Sequence, residues 1–125
     1  MEDRKYDLEE RLINFGVAMI KTAEKLPKSF AGNHLAGQLV RSGTSPALNY
    51  GEAISAESRN DFIHKMKVAL KELRETNNCL RMIHQLKWLD NEMILPEIKE
   101  CNELISIFVK SIATAQRNKQ NMKGN

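Results

Sequence analysis

At 125 residues the chain is long enough for one domain, and its wealth of Leu, Ala, Glu, Lys, Ile and Met favours helix over strand. Two cysteines, Cys79 and Cys101, are too few for a disulfide framework, and no apolar run approaches the ~20 residues that span a bilayer. The formal net charge of +3 equals the contribution of Arg117, Lys119 and Lys123 in the closing QRNKQNMKGN, so the body before it is neutral and any basic surface there must be local.

The opening MEDRKYDLEERL is charged and lacks an apolar core, so it does not read as a signal peptide. With the sparse cysteines, this predicts a reducing, cytoplasmic setting without a membrane partner. A first helix is predicted over residues 7–26, with Asp7 as N-cap and Glu9 and Glu10 in the first turn. Leu8, Leu12, Phe15, Met19 and Ala23 form its apolar stripe, flanked by Ile13, Ile20 and Leu26, and Pro27 ends it.

The next stretch holds RSGTSPALNYGEA, residues 41–53, a cluster of helix breakers by propensity. Projected at 100° per residue, however, Leu39, Val40, Gly43, Ala47, Tyr50 and Ile54 gather on one side. Arg41, Ser45, Asn49 and Glu52 gather on the other. Two coherent sides predict one continuous helix over 33–56, because burial outweighs a few kcal/mol of local propensity cost. Gly43 then faces the core, where its missing side chain lets a neighbouring helix come close. Pro46 removes one backbone hydrogen bond to residue 42, a carbonyl that nearby hydroxyls are expected to serve.

A third helix is predicted over 59–87, opened by a capping-box-like Ser58 and Asp61. Its stripe is Phe62, Met66, Ala69, Leu73, Leu80 and Ile83, with the aliphatic stem of Lys87. A fourth is predicted over 91–116 behind Asp90, with Ile94, Ile98, Cys101, Ile105, Phe108, Ile112 and Ala115 inward and a kink or short first turn at Pro96. Four amphipathic helices with short connections predict an all-α, antiparallel up-down four-helix bundle over 1–115, followed by a flexible basic tail, 116–125.

Chemistry is sparse. A di-iron bundle needs two Glu-x-x-His pairs, whereas Asp61-x-x-His64 occurs once, at a helix start. His64 and His84 are twenty residues apart on one helix, too far to share a site within one chain. No Cys-x-x-Cys, Gly-rich phosphate loop or Ser-His-Asp spacing occurs. The expectation is a non-enzyme without metal or cofactor, whose cysteines are small core residues.

Two polar arrays remain. Lys67, Lys71, Arg74 and Arg81 fall within about 80° of arc on the third helix, with Asn78 and Gln85 between them. They form either a phosphate-tracking line or an ordinary solvated face. Low aromatic content argues against a platform that stacks single-stranded bases. The line Arg41, Ser45, Asn49 and Glu52 is built from short polar groups with one Arg and one Glu. It suits either a packed polar contact, between helices or with another subunit, or a solvent face built from poor helix formers, and Tyr50 and Glu75 are grouped with the first.

RSGTSPALNYGEA followed by ESRNDFIHKMKVALKELRET resembles the four-helix-bundle proteins of the 23S rRNA intervening-sequence family over about residues 8–115. The correspondence includes Arg41, Gly43, Asn49, Tyr50 and Glu52 in the first motif, and Ser58, Phe62, Lys65, Glu72 and Glu75 in the second. Pro46 departs from it, since the family usually carries a branched aliphatic residue there. The resemblance implies a ring-forming bundle, often a homopentamer, with distant relatives among retroelement accessory proteins that bind RNA and a reverse transcriptase. The expected function is non-enzymatic binding of structured RNA or other nucleic acid through Lys67, Lys71, Arg74 and Arg81, assisted by Arg117 and Lys119. The alternative is a protein-interaction scaffold with no nucleic-acid role.

Overall fold

A computed structural model describes residues 4–124, with side chains from Leu8 to Asn121. Four helices run α1 (Arg4–Ala23), α2 (Phe30–Ile54), α3 (Arg59–Leu86) and α4 (Asn91–Gly124). Each packs against the next, and α4 returns to touch α1 at a few positions. With three short connections this is an all-α, up-down four-helix bundle.

The first helix starts before Asp7, which therefore lies within it rather than capping it, and its side chain is outside the described residues. It also ends earlier than the apolar pattern suggests. After Ala23 the chain tightens, with Lys25 N–H donating to Thr22 O at 3.0 Å and Leu26 N–H to Ala23 O at 3.2 Å. Leu26 stays buried through this turn, so its hydrophobicity belongs to the cap and not to the helix. Ser29 caps α2, its hydroxyl accepting from Gly32 N–H at 3.0 Å. A Cβ on Gly32 would lie 1.8 Å from the Pro27 carbonyl oxygen, so this reversal requires glycine. The signal for the earlier start was Ser29 itself, a preferred N-cap residue.

Helix α2 is continuous through Gly43 and Pro46. Its buried face is rotated from the predicted one: Ser42, Pro46 and Ala53 join Leu39, Gly43 and Tyr50 inside. Val40 and Ala47 are half-buried and Ile54 is exposed. A proline has no N–H to leave unsatisfied, so burying it carries no donor penalty. Ser42 satisfies its hydroxyl by donating to Gln38 O at 2.8 Å. The hydroxyls expected to serve the carbonyl of residue 42 instead donate earlier in the helix, from Thr44 to Val40 O and from Ser45 to Arg41 O, both at 2.7 Å. Gly43 does face a neighbour, since an added Cβ would lie 2.5 Å from Met19 Cγ on α1.

Ser58 caps α3, accepting from Asp61 N–H at 3.0 Å. Lys87 ends it in the left-handed region at φ 58° and is exposed, so its stem does not extend the apolar stripe. Helix α4 begins at Asn91, and the Asp90 carbonyl accepts from Met93 and Ile94 at 3.0 and 3.2 Å. It runs through Pro96 and past residue 116 to Gly124. The basic segment from 116 onward thus continues the helix, because no Gly or Pro interrupts it before Gly124. The core is built from Leu12, Phe15, Met19, Leu39, Met66, Leu73, Leu80, Ile94, Leu104 and Phe108. Tyr50 meets Phe108 edge-on, with ring centroids 6.1 Å apart.

Candidate nucleic-acid interface

Helix α3 is amphipathic, so fixing Met66, Ala69, Leu73 and Leu80 in the core turns the opposite side outward. Lys67, Lys71, Arg74 and Arg81 are all exposed there, with Asn78 and Gln85 exposed among them. At ~1.5 Å per residue the four cations span about 21 Å, with the first three about 6 and 4.5 Å apart along the axis. Among the described residues none of the four enters an ion pair. Of the tail residues, Arg117 is exposed and donates to Thr114 Oγ1 at 3.4 Å, and Lys119 is half-buried.

The acids nearest this line are engaged elsewhere. Arg41 on α2 donates to Glu72 Oε1 at 3.0 Å and also to Glu75, and it takes Gln38 Oε1 at 3.1 Å. One guanidinium thus holds two α3 carboxylates on the side of α3 that meets α2. Lower on the same seam, Lys65 Nζ donates to Glu52 Oε1 at 2.7 Å, and that hydrogen bond raises the lysine pKa. Deeper in, Thr76 Oγ1 lies 2.9 Å from Ser42 Oγ and 2.8 Å from the Glu72 carbonyl, both hydroxyls being fully buried.

The polar array of α2 is therefore used within the chain. Arg41, Glu52 and Glu75 join α2 to α3, Ser45 and Asn49 bond to their own helix, and Tyr50 is core. Sequence reading missed Glu72 as the second partner of Arg41, and Lys65 as the partner of Glu52. The spacing of Glu72 and Glu75, three residues apart on one side of α3, is the signal that could have shown a two-carboxylate socket.

A second polar seam joins α1 to α4. Arg11 grips Glu100 with Nε at 3.0 Å and Nη2 at 2.6 Å, and reaches Glu103 at 3.1 Å. Beside it Thr22 donates to Glu97 Oε2 at 2.6 Å, while Glu97 Oε1 is buried without a hydrogen-bond partner. Burial raises the Glu97 pKa, against smaller opposing contributions from the Thr22 hydroxyl and Lys25.

The thiols are inert in this setting. Cys79 and Cys101 are buried, and desolvation pushes them up to about 11 and about 12. His34 and His64 are exposed on different helices and His84 is half-buried. Among the described residues no three or more His, Cys, Asp or Glu side chains gather as a metal site, and no helix is long and apolar enough to cross a membrane.

One further surface stands out. Ile13 and Val17, each 45 % exposed, and Ile20 follow one line of α1, and Leu48, 69 % exposed, projects from α2 beside them. Ile13 and Ile20 thus flank the apolar stripe of α1 on its exposed side. Met82 and Leu86 on α3 and Leu95 and Val109 on α4 are exposed as well, so aliphatic surface is not confined to this side.

Among curated proteins none matches the chain. Solved structures that match include a protein of unknown function from the S23 ribosomal protein family of Bacteroides thetaiotaomicron. It is 29% identical, with a TM-score of 0.78, over 84% of this chain and 97% of that one. The model of the 23S rRNA-intervening sequence protein family matches residues 4–110, which takes in all of α1, α2 and α3 and most of α4. By that match the chain belongs to the 23S rRNA-intervening sequence protein family.

Proposed function

We propose that this protein is a non-enzymatic, cytoplasmic, self-associating bundle that binds structured RNA or another nucleic acid through the outer face of α3. Lys67, Lys71, Arg74 and Arg81 contact phosphates, and Arg117 and Lys119 assist from α4. The observation that carries this reading is the quartet of exposed cations without a carboxylate partner, beside two acids that Arg41 has drawn to the other flank. Four cations in a line are a modest site alone. A homo-oligomer, a pentamer by the family resemblance, repeats the line and converts weak contacts into avid ones. The aliphatic side formed by Ile13, Val17, Ile20 and Leu48 is the surface that suits contact between copies, because it is apolar and lies away from the basic line.

That same aliphatic side supports the second reading, a scaffold that binds a partner protein while the basic line is merely solvated. Light scattering on the purified protein, before and after nuclease, separates the two. The proposal expects a mass several times 14.3 kDa, co-purifying nucleic acid, and loss of that nucleic acid when the four cations are changed to Gln. A partner protein retained after nuclease treatment, and by the neutralised variant, favours the scaffold. A monomer free of nucleic acid rejects the proposal.

A further inference from the structure

We infer that the nucleic acid taken by this face is double-helical, and that α4 supplies a second row of phosphate contacts, Lys99, Lys110 and Arg117, beside the α3 quartet. The inference rests on the nucleic-acid reading above and narrows it.

The contacts of α4 fix which way it is turned. Cys101 Sγ reaches the Leu73 carbonyl at 3.3 Å and marks the side toward α3. Glu97 and Glu100 bond to Thr22 and Arg11 and mark the side toward α1. At 100° per residue, Lys99, Lys110 and Arg117 then lie together on the outward ridge, and all three are exposed. Packed helices have axes ~8–10 Å apart, so the cations of α3 and α4 form two neighbouring rows. From Lys99 to Arg117 the second row is about 27 Å long, comparable to some eight phosphates of one duplex strand at ~3.4 Å each.

Charge is sorted on α3 and mixed on α4. On α3 the carboxylates of Glu72 and Glu75 are held on the α2 flank by Arg41. On α4 Glu100 is held on the α1 flank by Arg11, which also reaches Glu103. On the outward ridge of α4, Glu92 and the exposed Glu103 fall within about 40° of Lys99 and Lys110, so that row carries acids among its cations. The α3 row, with its acids drawn aside, attracts a polyanion, and the α4 cations add contacts beside it.

Among the described residues the face carries no ring. Phe15, Tyr50 and Phe108 are core, Phe62 and Trp88 are half-buried against it, and Phe30 projects from the start of α2. Asn78 stands within the α3 row, and Asn102 and Ser106 with the aliphatic Leu95 and Val109 stand beside the α4 row. Proteins that hold single strands stack bases on aromatic side chains. A duplex hides its bases and shows two phosphate backbones, which is what two cation rows without rings can grip.

Fluorescence anisotropy at low salt tests the inference, using a labelled 20-base-pair RNA duplex, the DNA duplex of the same sequence and one of its strands alone. Wild-type protein is expected to bind at least one duplex at least 10-fold more tightly than the strand. The Lys99→Gln/Lys110→Gln variant, checked for unchanged helicity, is expected to lower the salt slope for that duplex by nearly 2, about one per lost phosphate contact, while leaving binding of the strand unchanged. A strand bound as tightly as the duplexes, or a variant that binds duplex like wild type, overturns the two-row inference and leaves the α3 reading standing. Absence of binding to all three probes overturns both.

Discussion

Gly43→Ala is the substitution for which the packing and the helix propensity pull in opposite directions. In a helix interior, alanine is better than glycine by roughly 0.5–1 kcal/mol. At Gly37, on the same helix, an added Cβ meets nothing within 4 Å, so Gly37→Ala collects the whole gain. At Gly43 the added Cβ sits 2.5 Å from Met19 Cγ and 2.7 Å from Met19 Cβ, where carbon atoms prefer ~3.5–4.0 Å. Met19 is fully buried, and its Cβ moves only if the α1 backbone moves. Overpacking of this kind costs about 1–3 kcal/mol, which cancels or exceeds the propensity gain. Thermal unfolding followed by circular dichroism reads the difference at roughly 4 °C per kcal/mol for a chain of this length. Gly37→Ala should melt about 2–4 °C higher than wild type, and Gly43→Ala at the same temperature or lower. In a double-mutant cycle, Met19→Ala should cost less in the Gly43→Ala background than alone, because the shortened side chain makes room. Equal stabilisation by the two alanines would refute the close α1–α2 approach at Gly43.

Three further outcomes follow from named contacts. Arg41→Ala should destabilise by about 1 kcal/mol in low salt, since it leaves Glu72 and Glu75 side by side without their cation, and urea unfolding in high salt should shrink the effect; no change at low salt would contradict it. Glu97 has a folded-state pKa raised by burial, so its ionisation favours the unfolded chain. The penalty is absent below the unfolded value, near 4.3, and grows as pH rises through the folded one. Glu97→Gln should therefore gain stability relative to wild type between pH 4 and 7, and a pH-independent difference would show the carboxyl to be solvated. Thiol labelling of Cys79 and Cys101 should be slow in the folded protein and fast in denaturant, as burial and their raised pKa values demand; rapid labelling of the native state would place a thiol at the surface.

Local chemistry was legible in the sequence where one residue decides it. Ser58 caps α3 because its hydroxyl has an N–H three residues on, and Gly43 faces α1 because the helical stripe puts it there. The exposed quartet on α3 was legible for the same reason: once the stripe from Met66 to Ile83 is fixed, the outward side follows. The rotation of α2 was not, because Ser42 and Pro46 read as polar and breaking until Thr76 and the proline's missing donor make burial cheap. The pairing of Arg41 with Glu72 and Glu75 depends on the register between two helices, which periodicity along one helix does not contain. Ile13 and Ile20 were legible as flanks of the α1 stripe but their degree of exposure was not, since apolar spacing cannot distinguish a buried core edge from an exposed one.

The salt dependence of binding to a structured RNA addresses the central claim most directly. If Lys67, Lys71, Arg74 and Arg81 each neutralise one phosphate, they alone should contribute about −2.8 to −3.6 per subunit to the slope of log K against log salt. That contribution should lower affinity about 50- to 150-fold between 50 and 200 mM salt, and neutralising the four cations should remove it. A slope near zero, or one that survives unchanged in the neutralised protein, would contradict phosphate binding by the outer face of α3.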